Sequence, residues 1–141
     1  MHSITKLTRI HCGNFLTGGQ GHETHEYRIS IQNPPETPWL DWIQRGTKTY
    51  EGRLNRGLFK KISIGDILIF YNKNDYSREV RTIVTDLKYY DNFGAAFADL
   101  GSALVPLADI DEAQVNKFYL QYFSPDDIKQ HGVIAIGIKV V

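Results

Sequence analysis

Between Thr37 and Leu54 the chain changes its period across a single glycine. Thr37-Pro38 is a helix start, with threonine as the cap and proline in the first turn. Trp39, Leu40 and Ile43 then recur at helical spacing, which predicts a short helix with one buried face, ended by Gly46. Beyond Gly46 the order is that of a strand: Thr49, Glu51 and Arg53 on one face, Tyr50, Gly52 and Leu54 on the other. Lys48 falls in the junction, where a rigid helix end and a strand start can hold its ammonium in place. With Glu51 and Arg53 it sets one acid and two bases within six residues, beside Trp39 and Tyr50. That grouping suits a surface that handles anions.

The remaining elements follow from pattern. Residues 26–32 alternate polar and apolar and predict a strand, stopped by Asn33-Pro34-Pro35 because consecutive prolines cannot continue a ladder. Ile67 to Tyr71 is a continuous apolar run after the Gly65-Asp66 turn, as expected of a strand covered on both faces. After a polar hairpin loop at 72–75, Glu79 to Tyr90 predicts a long strand. Asp91 can cap a helix with Phe93, Ala96, Phe97 and Leu100 as its apolar stripe. A second helix starts near Asp109 or Asp111 and carries Val115, Phe118, Tyr119 and Tyr122. Ser124-Pro125 repeats the start signal for a short helical turn, and 132–141 closes the chain as a strand. Strands and helices are interspersed without repeats, which predicts an α+β domain.

Residues 1–25 read as an N-terminal extension with one short strand between Ile4 and Phe15 and a flexible Gly18–His22 loop. His11-Cys12 and His22-x-x-His25 raise the question of zinc, but the spacing matches no zinc knuckle, so surface histidines are expected, with no metal and no cofactor. At 141 residues the chain suffices for one domain with its own core. Its lone cysteine, Cys12, allows no internal disulfide. The first residues lack the apolar run of a signal peptide, and no segment is long and apolar enough to span a bilayer, so a cytoplasmic or nuclear protein is expected, with no membrane partner.

Sixteen basic and sixteen acidic residues cancel, so the chain has no global nucleic-acid footprint. The charges are unevenly placed, however. Residues 44–61 hold six bases and one acid, and residues 86–127 hold eight acids and two bases. Such a chain either turns one face toward a polyanion or carries two solvated patches of opposite sign.

The order Pro38-Trp39, Gly46, Lys48, Glu51, Arg53 resembles the signature of the ASCH family, the activating signal cointegrator homology domains of the PUA-like group. Two further landmarks resemble the family in the same order: Gly65-Asp66 before its buried strand, and Tyr122-Phe123-Ser124-Pro125 before Gly132 to Ile136. The resemblance covers roughly 36–141, and implies an ASCH domain over 26–141 folded as a small PUA-like β-barrel of five or six strands flanked by helices.

It also implies a ligand, RNA or a modified nucleoside. Lys48 can hold a phosphate or stabilise an oxyanion, and Arg53 offers a planar fork for phosphate or an internal pair with Glu51. Arg56 adds a further cation, and Trp42 and Tyr50, with Trp39 and Tyr122, are candidates for base stacking. In the ASCH branch linked to RNA cleavage, the signature lysine and a late serine are implicated together, and Lys48 and Ser124 fill both positions here. Resemblance to that branch implies slow, metal-independent ribonuclease chemistry, with Glu51 orienting the ribose hydroxyl, Lys48 stabilising the phosphorane and Ser124 touching phosphate. A second branch removes the acetyl group of N4-acetylcytidine. It carries a threonine nucleophile where this chain has Glu51, which counts against that amidohydrolase activity here. The remaining alternative is a non-catalytic regulatory module whose acidic 86–127 half docks a protein.

Overall fold

The computed structural model of the chain describes residues 4–11, as backbone, and 23–141. In chain order the elements are β1 (Ile4–His11), β2 (Glu23–Ser30), α1 (Trp39–Arg45), β3 (Tyr50–Leu54), β4 (Ile67–Asn72), β5 (Asp75–Tyr90), α2 (Phe93–Leu100), α3 (Glu112–Tyr119), α4 (Pro125–His131) and β6 (Val133–Val140). Short 3-10 turns occupy Gly57–Lys60 and Gly101–Ala103. The strands form one six-stranded sheet in the order β1-β2-β4-β5-β6-β3. Only β2 and β4 run parallel, because α1 and β3 form the crossover between them; every other neighbour is antiparallel. This is an α+β fold. Residues 4–11 belong to the same sheet through β1, while the Gly18–His22 loop and Cys12 lie outside the described residues.

β4 is buried on both faces, as its apolar run predicts. Leu68 and Phe70 enter the core. Ile69, on the other side, pairs with Arg28 on β2 and Arg81 on β5, in a row flanked by the Arg28–Glu79 and Arg81–Glu26 ion pairs. The turn before β4 needs its glycine, since Gly65 has φ +97° and its N–H bonds Val84 O. Asp66 is buried beside it because its carboxylate accepts backbone N–H groups from Ser63 and His25.

Two helix caps differ from expectation. Thr37 does not cap α1: Pro38 holds the cap position with no side-chain bond. The N–H of Asp41 is satisfied instead by Asn33 Oδ1, 3.2 Å away across the loop. At α2 the cap is Asn92 rather than Asp91, and its side chain accepts from Ala95 N at 2.8 Å. Asp111 caps α3 in a capping box with Gln114, and Ser124 caps α4. β5 begins at Asp75 rather than Glu79, because a two-residue turn at Lys73-Asn74 lets the ladder start at once.

The expected barrel does not close. β1 and β3 remain the edges of the sheet. Where a closing ladder would run between β3 and the end of β2, a side chain stands in: Arg53 Nη2 donates to Ser30 O at 3.0 Å. The gap beside that contact opens into a cleft walled in part by Glu51 and Arg53.

Candidate functional site

Gly46 ends α1 in the left-handed conformation, φ +76°, which only glycine adopts without steric cost. The reversed chain gives the N–H groups of Thr47 and Lys48 to Trp42 O, and Thr49 N to Ala103 O. Lys48 is thereby turned beneath the helix and is 1% exposed. Its Nζ donates to Tyr50 O at 2.6 Å and Leu104 O at 2.5 Å, lies 3.5 Å from Glu51 Oε1, and sits 4.9 Å from the centre of the Trp39 ring. Three acceptors surround an ammonium that has three protons. Burial pulls its pKa from 10.5 down to about 8, an effect that the charge of Glu51 partly offsets.

On β3, alternation places Glu51 and Arg53 side by side as the sequence predicts, and both are buried. Arg53 Nε donates to Glu51 Oε2 at 2.7 Å, and the guanidinium lies 5.4 Å from the Phe59 ring centre. Lys48, Glu51 and Arg53 therefore form one buried group with a carboxylate between two cations. Tyr119 borders it: burial raises its phenol pKa well above 10, and the Glu51 charge pushes the same way.

Glu51 and Arg53 form part of the wall of a cleft of about 810 Å³, which occupies the open seam of the sheet. Trp39, Tyr119, Tyr122 and Phe123 supply aromatic surface, and Trp39 Nε1 donates to Tyr122 Oη at 3.2 Å. Carboxamides border the rest, from Gln32, Asn33 and Gln121 and from Asn72 and Asn74 of the β4–β5 hairpin. A space of this size with aromatic walls and amide hydrogen-bonding groups suits a flat heterocycle with a polar edge. Lys48 does not line this cleft; it borders a smaller depression of about 350 Å³, between residues 43–49 and 138–140, which has no aromatic wall.

A family model for the ASCH domain matches residues 36–141, three quarters of the chain. The chain belongs to the ASCH domain family. ASCH domains are PUA-like and generally RNA-binding. Among solved structures, the crystal structure of hypothetical protein PH0355 is 26% identical with a TM-score of 0.68, over 82% of this chain and 97% of that one. The solution structure of protein PF0455 from Pyrococcus furiosus is 22% identical with a TM-score of 0.64, again over 82% and 97%. A serine-to-alanine mutant of ZmASCH from Zymomonas mobilis is 16% identical with a TM-score of 0.56, over 81% of this chain and 67% of that one. The latter two are similar in fold alone. No curated protein matches the chain significantly.

The other residues expected at the site of this ASCH domain are dispersed. Ser124 does not line the cleft; its Oγ caps α4 by accepting from Asp127 N at 3.1 Å. Arg56 is exposed and lies 3.4 Å from Asp127. Trp42 is half-buried, edge-on to Trp39 with ring centres 5.4 Å apart, and lies outside the cleft. Tyr50, on the opposite face of β3 from Glu51, donates to Asp86 Oδ2 at 2.5 Å, and that bond is the main reason its pKa rises to about 12. Because Lys48, Glu51 and Arg53 are buried, the basic stretch presents Arg45, Arg56, Lys60 and Lys61 to solvent. In the acidic stretch, Asp86 accepts from Tyr50, Asp99 from Tyr90, and Asp111 caps a helix.

Sequence reasoning overlooked the carboxamide rim. Gln32 and Asn33 read only as a strand end, Asn72 and Asn74 only as a turn, and no local pattern places those two loops together. Tyr119 read correctly as part of an apolar stripe, but its second role beside Glu51 has no local signal. No group of metal-ligating side chains occurs among the described residues, and no helix among them is long and apolar enough to cross a membrane.

Proposed function

We propose that this ASCH domain binds single-stranded RNA by taking one base into the cleft at the open seam of the sheet. One juxtaposition carries the reading: the aromatic wall of Trp39, Tyr119 and Tyr122 faces the same space as the Glu51–Arg53 pair, fixed at 2.7 Å. A base inserted there stacks on the ring surfaces, and its edge meets the pair and the surrounding carboxamides. The buried ions supply preorganisation, since a carboxylate held between two cations does not reorient when a ligand enters.

Catalysis has less support. Cleavage through Lys48 or amide hydrolysis at N4-acetylcytidine calls for an ammonium or hydroxyl facing the ligand. Lys48 directs its protons to two carbonyls and Glu51, and Ser124 is engaged as a cap. Among the described residues, the hydroxyl-bearing side chains that line the cleft are Ser30, Tyr119 and Tyr122.

The test is incubation of end-labelled single-stranded RNA with wild-type, Tyr122→Ala and Lys48→Met protein, reading both binding and strand integrity. The wild type should bind and leave the RNA intact, and Tyr122→Ala should bind roughly 5- to 100-fold more weakly. Absence of binding overturns the reading. Cleavage that disappears with Lys48→Met replaces it with the nuclease.

A further inference from the structure

The β4–β5 hairpin that walls the cleft with Asn72, Lys73 and Asn74 carries a second aromatic feature two residues beyond Asn74. Tyr76 is 70% exposed, the most exposed of the large hydrophobic side chains among the described residues. Its ring nevertheless has an aromatic neighbour. It stacks on Tyr71 with centres 5.9 Å apart and planes 17° from parallel, and the Arg28 guanidinium lies 5.0 Å from the Tyr71 ring centre. Arg28 is itself held by Glu79 at 2.9 Å. The hairpin backbone is tied on both sides of the tip: Asn74 N donates to Asn72 Oδ1 at 2.9 Å, and Ser77 N to Asp75 Oδ1 at 3.1 Å. A flat aromatic ring is thus held at the surface with most of its area open to water.

We propose that Tyr76 is a second base-stacking position, which takes a nucleotide adjacent to the one in the cleft. The proposal rests on the cleft reading above and deepens it: the ligand is an oligonucleotide strand rather than a free nucleoside. Two observations select a nucleobase as the occupant. The hairpin that walls the cleft through Asn72, Lys73 and Asn74 also carries Tyr76, two residues past Asn74, so the cleft and the platform share one element. The platform is also a single ring backed by a second ring, with charged neighbours in Arg28, Asp75, Arg78 and Glu79, rather than an apolar patch of the kind that buries a protein surface. Stacking on such a ring requires no sequence-specific contact, because every base has a π-face.

The experiment compares two probes on three proteins. Labelled random-sequence RNA hexamers and the four ribonucleoside monophosphates are titrated into wild type, Tyr76→Ala and Tyr76→Phe. Hexamer affinity should fall roughly 5- to 100-fold in Tyr76→Ala and stay near wild type in Tyr76→Phe, which keeps the ring. Monophosphate affinity should be the same in all three. Equal hexamer binding by wild type and Tyr76→Ala overturns this proposal and leaves the cleft reading standing. So does an equal loss for hexamer and monophosphate, which makes the effect one on the cleft wall. A loss in Tyr76→Phe as large as in Tyr76→Ala assigns the contact to the hydroxyl and also overturns stacking. If wild type binds neither probe, the cleft reading fails and takes this one with it.

Discussion

The ammonium of Lys48 lies 3.5 Å from the carboxylate of Glu51, although strand alternation would send side chains three residues apart to opposite faces. The pair forms because β3 starts only at Tyr50, and the turn from Gly46 to Thr49 rotates Lys48 back under α1. Glu51 is then the one anion between two buried cations. Glu51→Gln leaves both without a counter-charge and should cost about 3–5 kcal/mol, read from urea unfolding. Lys48→Met, similar in length and apolar, should cost less, because Glu51 keeps Arg53. A loss below about 1 kcal/mol in Glu51→Gln would show that the ions are not coupled as the distances imply.

Stability should rise with pH over one window. Lys48 has a folded pKa of about 8 against 10.5 for the free group. Between those values the unfolded chain holds a proton that the folded one has lost, so the unfolding free energy increases with pH by at most about 1.4 kcal/mol per unit. Above about 10 the sign reverses, because Tyr50, Tyr90 and Tyr119 have raised pKa values and ionise first in the unfolded state. Denaturant melts from pH 7 to 11 should show a maximum, and Lys48→Met should remove its rising limb. A rising limb unchanged in Lys48→Met would assign it to another group.

Salt dependence should be shallow. Among the described residues, the cations on the cleft are Arg53, engaged with Glu51 and Ser30, and Lys73 on the hairpin. With one or two phosphates neutralised, log K should fall against log salt with a slope of about −1 for a single strand. A slope steeper than about −3 would place the RNA on the exposed Arg45, Arg56, Lys60 and Lys61 instead.

Ser124 has a measurable role as a cap. Ser124→Ala should lower stability by about 0.5–2 kcal/mol and leave RNA affinity unchanged, while Ser124→Asp should recover the stability. Weakened RNA binding at unchanged stability would move Ser124 from the cap to the ligand.

Much of the fold was legible because its signals are local. The apolar run from Ile67 to Tyr71, the Ser124-Pro125 start and the helical stripes of Phe93–Leu100 and Val115–Tyr119 each depend on residues a turn or a pleat apart. The caps at α1 and α2 were less legible. A proline displaced the expected threonine at α1, and Asn33, eight residues before Asp41, supplied the missing acceptor. Barrel closure failed for a related reason, since a ladder depends on whether two distant edges meet, and at this seam one guanidinium spans the gap.

The sequence by itself determined the buried stripe of α1, that Glu51 and Arg53 share a strand face, and which family the chain resembles. Only the tertiary structure decided that Lys48 is buried with them, that Ser124, Trp42 and Tyr50 stand apart, and that two loops forty residues apart border one cleft. The physical reason is range. Periodicity and capping act over a few residues, whereas burial of a charge and the shape of a cleft depend on surfaces from chain segments far apart in sequence.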